Sequence, residues 1–345
     1  MTRRSKILVW GTLCVAALAV AGTLWATRHL HTPFRARAEP KIIEIPRGTG
    51  VRAISARLEE EGFIRTRHLF SLWTWLRGQT RSLQAGEYRL SASMSPAAIL
   101  EVLVRGEVVQ HPLTIPEGYT VREIAKAVKR TGFGSAEEIA LLSRDPSFLK
   151  EFDIQAASAE GYLFPETYHF PRRTPARKIL GRMIATLRER FTPAMVLQAR
   201  QRGLSVHQAL TLASIIERET AIPKEMSLIS AVFQNRLRRG MRLQADPTVL
   251  YALNRTSGPL SRENLQVDSP YNTYRVKGLP PGPIANPGLG SLVAVLNPAP
   301  VDYLYFVARG DGSHEFSRTL ADHLKAVRKY RRNAGAVRSL SSQER

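Results

Sequence analysis

Hydrophobic and polar positions first separate one segment from everything after it. From Ile7 to Ala26 the chain reads ILVWGTLCVAALAVAGTLWA, twenty residues without a charge. At ~1.5 Å per residue such a helix crosses a ~30 Å hydrocarbon core. Arg3, Arg4 and Lys6 precede it, and Trp10 and Trp25 sit near its ends, where amphipathic rings prefer the membrane–water boundary. A cleaved signal peptide ending at Ala19-Val20-Ala21 is the alternative, but the apolar run continues past Ala21. The expectation is an uncleaved span at 7–26, with 1–6 cytoplasmic and the body of the chain exported.

An internal repeat follows at an offset of 70 residues. Ile45-Pro46-Arg47-Gly48-Thr49-Gly50-Val51-Arg52-Ala53-Ile54 matches Ile115-Pro116-Glu117-Gly118-Tyr119-Thr120-Val121-Arg122-Glu123-Ile124, and Gly62-Phe63 matches Gly132-Phe133. Eight of nineteen aligned positions are identical, too many for accident at one offset. Each copy reads as a strand, a Gly turn and a helix with apolar residues at helical spacing. The pattern resembles the opening of a LysM module, a small fold that grips N-acetylated glycans. A duplicated structural unit without sugar contact fits equally well. Between the copies, 83–90 reads as a strand and 96–104 as a helix entered by Ser95 and Pro96. Phe70, Trp73, Trp75 and Leu76 form an aromatic stripe, expected in a core.

Beyond Asp145-Pro146 the periodicity turns helical, with helices at 175–190, 205–220, 223–238 and 289–296 and a short one after Asp246-Pro247. A hairpin (303–309, 314–317) and a terminal helix from Thr319 close the pattern. In the helix 205–220, Glu217 lies within about 40° of Val206, Leu210 and Ala213, whereas Glu219 falls about 200° away. That places Glu217 on the buried stripe and Glu219 in water. Burial raises a carboxyl pKa, and a Glu protonated near neutrality can protonate a glycosidic oxygen. The plainer role for Glu217 is an ion pair with an Arg such as Arg236 on the next helix. Asp246 with Pro247 behind it is likewise a natural helix cap. Between 278 and 288, seven of eleven residues are Gly or Pro, a shaped loop rather than a linker.

Charge first points elsewhere. With 50 Lys+Arg against 29 Asp+Glu the net charge is +21, which suggests a polyanionic partner. Residues 1–41 and 323–345 each hold seven bases and one acid, so the flanks carry more than half of it. A body that is exported argues against nucleic acid as the partner. The single cysteine, Cys14, excludes a disulfide framework and a Cys-based zinc site, and eight His without an H-E-x-x-H spacing offer no metal motif.

Several long motifs then occur in one order. Leu212-Ala213-Ser214-Ile215-Ile216-Glu217-Arg218-Glu219-Thr220 is followed by Arg236-Leu237 and by Met241-Arg242-Leu243-Gln244-Ala245-Asp246-Pro247-Thr248-Val249. Glu160-Gly161-Tyr162-Leu163-Phe164-Pro165-Glu166-Thr167-Tyr168, Tyr271-Asn272-Thr273-Tyr274 and the 278–288 loop complete the set. Together they resemble the endolytic murein transglycosylases (the YceG-like, or MltG, family) over nearly the whole chain. The resemblance implies a single-pass inner-membrane protein whose periplasmic part cuts MurNAc–GlcNAc β-1,4 bonds of nascent peptidoglycan strands. The products would carry 1,6-anhydroMurNAc ends, which terminates elongation. Partners would be glycan strands, inner-membrane lipid and cell-wall synthases, with no cofactor. The resemblance makes Glu217 the catalytic residue. Gln244, Tyr271, Asn272 and Asn286 are expected to shape the sugar groove. Asp246 and Glu166 line it too, and would supply the second carboxyl of a muramidase. A non-catalytic, membrane-anchored peptidoglycan-binding protein is the reading from another class.

The expected architecture is α+β: the transmembrane helix, a LysM-like α/β subdomain over 41–150, and a mainly helical catalytic domain over 151–332 with a small β-hairpin. A disordered basic tail over 333–345 ends the chain.

Overall fold

The structure, a computed structural model, describes residues 3–330; the tail expected at 333–345 lies outside the described residues. Two compact units make up the chain, Met1–His111 with His169–Arg172 and Pro112–Tyr168 with Arg173–Arg345. The second copy of the repeat belongs to the second unit. The described residues are rich in helix, with three two-stranded sheets.

The first unit begins with helix α1 (Arg3–His31), which from Trp10 to His31 is long and apolar enough to cross a membrane. Its final turn is different. Leu30 is buried, and His31 meets the Trp73 ring at 6.4 Å between centroids. Strand β1 (Lys41–Ile45) pairs antiparallel with β2 (Gly86–Leu90), Ile43 standing opposite Tyr88. Strand alternation turns Ile43, Ile45, Tyr88 and Leu90 to one side. There they meet Ile54 and Leu58 of α2 (Val51–Glu60), Phe70 of α3 (Arg67–Leu76), and Ile99 and Leu103 of α4 (Pro96–Arg105). Helix α4 starts as expected, with Ser95 Oγ accepting from the Ala98 N–H at 3.2 Å. The aromatic stripe of α3 does not all enter the core. Phe70 is buried and Trp73 half-buried, but Trp75 and Leu76 are exposed. One helix can bury only the arc that faces its neighbours, and these two lie outside that arc.

After β2 and α4 the chain continues through β3 (His111–Thr114) and β4 (Thr167–Phe170), each divided between the units, and in the second unit through α5 (Val121–Arg130), α6 (Ala136–Leu142), α7 (Pro146–Glu151), α8 (Ala176–Arg190) and α9 (Pro193–Gln201). Then come α10 (Val206–Glu219), α11 (Pro223–Arg238), α12 (Asp246–Ala252), α13 (Leu289–Leu296) and the hairpin β5 (Tyr305–Ala308) with β6 (His314–Ser317). Residues 320–330 are helical. Helices α6, α7 and α9 are too short for their periodicity to show in the sequence. Their caps are visible all the same: Ser135, Asp145 before Pro146, and Thr192 before Pro193.

Both repeat copies fold alike. Gly48 (φ +80°) turns β1 into α2, and Gly118 (φ +75°) turns β3 towards α5. Each helix ends on a left-handed glycine, Gly62 or Gly132, after which Phe63 donates to Leu58 O at 2.8 Å and Phe133 to Val128 O at 3.1 Å.

Helix α10 is the centre of the second unit. It opens with a capping box between Ser205 and Gln208, and α9, α11, α12 and α13 pack around it. Every residue from Ala209 to Ile216 is buried.

Candidate active site

The encirclement of α10 decides the fate of its acidic end. The sequence ALTLASII over 209–216 has no charged position, the mark of a helix buried all round rather than on one stripe. The side of α10 expected to face water therefore faces α11 and α12 instead. Glu219 is not in water: its Oε2 is buried and has no hydrogen-bond partner. Burial pushes its pKa up to about 8, the negative charge of Asp246 adds to the rise, and Arg236 opposes it. Glu219 is also the last residue of α10, where the helix dipole disfavours an anion.

Arg236 does not form an ion pair with it among the described residues. Its Nε donates to Leu304 O at 2.6 Å and its Nη1 to Leu243 O at 2.6 Å, with Gln244 Oε1 at 3.5 Å. Asp246, the first residue of α12, makes no capping bond. It accepts instead from the Tyr274 hydroxyl at 2.5 Å. Burial and then the Asp246 carboxylate raise the Tyr274 pKa, so the phenol stays a donor. Gln244 holds a left-handed backbone (φ +51°), rare outside glycine, and its N–H donates to Thr273 O at 3.1 Å. Glu219, Asp246, Tyr274, Arg236 and Gln244 thus form one polar cluster, in which the half-buried Glu219 keeps its Oε2 out of solvent without a hydrogen-bond partner. A strained, exposed Gln and an exposed Asp at its edge fit a site that meets a ligand.

Glu217 lies half-buried on the opposite side of α10. Its Oε2 accepts from the Gly288 N–H at 3.0 Å, at the start of α13. Glu117, from the turn before α5, shares that place. Its pKa is raised by burial and then by the Glu217 charge.

The remaining candidates divide differently. Asn286 is fully buried and its amide is spent within the protein: Nδ2 donates to Tyr119 O at 2.8 Å and to Glu160 Oε1 at 3.0 Å, while Oδ1 accepts from Leu163 N–H at 2.9 Å. Asn272 is equally committed, donating to Leu265 O and Val267 O and accepting from Tyr274 N–H. These two amides build loops and have no donor left for a sugar. Tyr271 packs its half-buried ring 4.9 Å from that of Tyr251. Glu166 accepts from Arg190 at 3.1 Å in an exposed pair and joins none of the groups above.

A family model for the YceG-like family matches residues 43–329. The chain belongs to that family. An endolytic murein transglycosylase of Bacillus subtilis (strain 168) is 36% identical over 305 residues, covering 84% of each chain. One from Streptococcus pneumoniae serotype 2 is 31% identical over 317 residues, 83% of this chain and 57% of the relative. Among solved structures, a YceG-like protein of Listeria monocytogenes is similar with a TM-score of 0.58 and 35% identity, over 84% of this chain and 99% of that one.

In this YceG-like chain, sequence reasoning passed over three groups that matter. A helical wheel places Glu219 in water because it assumes a wet side. Tyr274 was visible as the last residue of Tyr-Asn-Thr-Tyr, but its tie to Asp246 is not local. Glu160 is buried beneath the loops, its pKa pushed up to about 8 by burial. It accepts from Val121 N–H at 3.0 Å, Asn286 Nδ2 and the Tyr251 hydroxyl, and so knots the Gly118 turn, the 278–288 loop and α12 together.

Proposed function

We propose that this protein is a membrane-anchored lytic transglycosylase of peptidoglycan, and that Glu219, rather than Glu217, is its general acid and base. The supporting observation is the Glu219 Oε2, buried without a hydrogen-bond partner beside Asp246 and Tyr274, in a carboxyl whose pKa burial pushes up to about 8. It is the property expected of Glu217, met two residues further on. Family membership and relatives named endolytic murein transglycosylase supply the substrate class.

In the proposed reaction the glycosidic MurNAc–GlcNAc oxygen takes the Glu219 proton as its bond to C1 breaks and C1 gains oxocarbenium character. The Glu219 carboxylate then removes the proton of the muramyl 6-hydroxyl, whose oxygen bonds to C1 and closes the 1,6-anhydro ring. Glu219 is back in its acid form, and no water is consumed. One carboxyl serves both steps because the nucleophile is the substrate's own hydroxyl, whereas glycoside hydrolases use two carboxyls at a set separation. Asp246 would be the second of the pair if the enzyme were a muramidase.

The same reading has α1 as the anchor, with the remainder in the periplasm close to newly made strands, where cleavage ends their growth. Support for an anchor over a cleaved signal is that α1 runs unbroken past Ala21 to a buried Leu30. The repeat copies are LysM-like in sequence, and glycan binding by them belongs to this proposal.

Digestion of purified glycan strands by wild type, Glu219→Gln and Glu217→Gln, with mass spectrometry of the ends, tests it. Wild type and Glu217→Gln should yield 1,6-anhydroMurNAc ends, Glu219→Gln none, and wild-type rate should fall as pH rises through about 8. Loss of product in Glu217→Gln alone would move the acid to the Glu117–Glu217 pair. Reducing MurNAc ends would make the enzyme a muramidase, and no product from wild type would leave a binding protein.

A further inference from the structure

Helix α3 carries its apolar residues on the wrong side for a soluble domain. Phe70 and Thr74 fill the core, but Leu72, Trp75 and Leu76 stand outward at 52%, 65% and 63% exposure. Spaced i, i+3 and i+4, they form one continuous stripe. Scattered exposed apolar residues need no explanation; three large ones in one stripe do.

The same helix is packed against the end of α1. Leu30 is buried in the first unit, the Trp73 ring lies 6.4 Å from that of His31, and α1 and α3 are neighbours in the fold. Trp25 and His31 are six residues apart, about 9 Å along a helix axis. That is comparable with the headgroup layer, about 5–8 Å deep on each side of the hydrocarbon core. The residues around the stripe suit such a layer. The guanidinium of Arg77, which closes α3, rides 4.5 Å above the Trp73 ring. At the other end Arg65 stands exposed, 5.9 Å from the Phe34 ring centroid, and Arg67 is exposed in a 3.6 Å pair with Glu59. Trp at the boundary and Arg towards phosphates are what an interfacial helix presents.

We infer that the outward face of α3, with Leu72, Trp75 and Leu76, lies in the anionic headgroup layer of the bilayer that α1 crosses. The inference rests on the reading of α1 as a membrane span. It gives α3 the role of a second foot, holding the first unit against the membrane surface instead of leaving it to swing on α1.

The test uses the full chain in vesicles of phosphatidylglycerol and phosphatidylethanolamine. With Cys14→Ser as background, a nitroxide is placed by Leu76→Cys, and in separate proteins by Leu18→Cys and Glu60→Cys. Collision with oxygen is then compared with collision with an aqueous nickel complex. The expected result is a ratio of oxygen to nickel collisions several-fold higher at 76 than at 60, with 18 highest. A label at 76 as wet as at 60 while 18 is in lipid overturns the inference and leaves the anchor intact. A wet label at 18 overturns the anchor reading itself. Spin–spin broadening at 76 without lipid contact means a second copy covers the stripe, and also overturns it. An independent readout needs no label. Lipids brominated near the headgroup should quench less of the total tryptophan emission in Trp75→Phe than in wild type, and equal quenching counts against the proposal.

Discussion

Glu219 combines three unfavourable surroundings for a charge: no hydrogen-bond partner for Oε2, a neighbouring Asp246, and the carbonyl end of α10. Only Arg236 opposes them, and its donors are taken by backbone carbonyls. Holding such a group costs stability, which is common where chemistry needs a shifted pKa. The contribution of Asp246 can be read separately. Its charge raises the Glu219 pKa, so Asp246→Asn lowers it, and the descending limb of the pH–rate profile moves to lower pH. Activity then falls relative to wild type near pH 7.5 and is largely kept near pH 5.5, while Asp246→Glu restores the wild-type limb. A uniform loss at every pH would mean that Asp246 works on the substrate and not through Glu219.

Among the elements, α10 shows how far local pattern reaches. Its ends are written in Ser205, Gln208 and Thr220, and its length follows the apolar run. What surrounds it is not written there, because a wheel drawn on one helix assigns a wet side to whatever is polar. Polar residues at the end of an encircled helix turn partly towards its neighbours, and the buried Oε2 of Glu219 is the result. The loops over α10 are held in the same non-local way. His207 Nε2 donates to Pro281 O at 2.8 Å while its Nδ1 accepts from the Tyr162 hydroxyl at 2.8 Å, a pairing forced by the carbonyl, which can only accept. Gly161 is fixed there twice over. Its φ of +84° is left-handed, and a Cβ would stand 2.3 Å from Pro283. Gly203, at φ +75°, has open space where a Cβ would go. Gly203→Ala should cost about 1–2 kcal/mol for the backbone alone. Gly161→Ala should cost clearly more, because Pro283 must also move. Urea midpoints of the two variants make the comparison, and equal losses would show that the Pro283 contact yields freely.

For the whole molecule, α1 has two parts with different solvents. From Trp10 to Trp25 its large apolar side chains are exposed to whatever surrounds the helix, while Leu30 is buried in the first unit. A chain beginning at residue 27 should leave the membrane fraction and keep its thermal midpoint. One beginning at residue 32 should lose stability too, by about 1.5–3 kcal/mol for the missing Leu30 burial. Equal melting of the two would show that Leu30 adds nothing to the unit. The full chain should resist extraction by alkaline carbonate. The charge also takes its meaning at this scale. Much of the +21 flanks the apolar span and the C-terminus, so it describes where the chain sits more than what it binds.

By itself, the sequence determined the features that depend on neighbours along the chain. These are the apolar span, the paired strand–turn–helix copies, the caps of α4 and α10, the hairpin and the order of motifs that marks the family. Each rests on periodicity, a fixed-φ residue or a short-range hydrogen bond, and so survives without knowledge of what lies across the fold. Only the tertiary structure decided which carboxyl keeps a buried oxygen without a partner, that Asp246 answers Tyr274 rather than its own helix, and that Asn272 and Asn286 serve the loops. It also turned half of an aromatic stripe outward. The reason is the same in each case: burial, charge coupling and hydrogen-bond partnership are set by groups far apart in the chain and close in space, which no one-dimensional pattern contains.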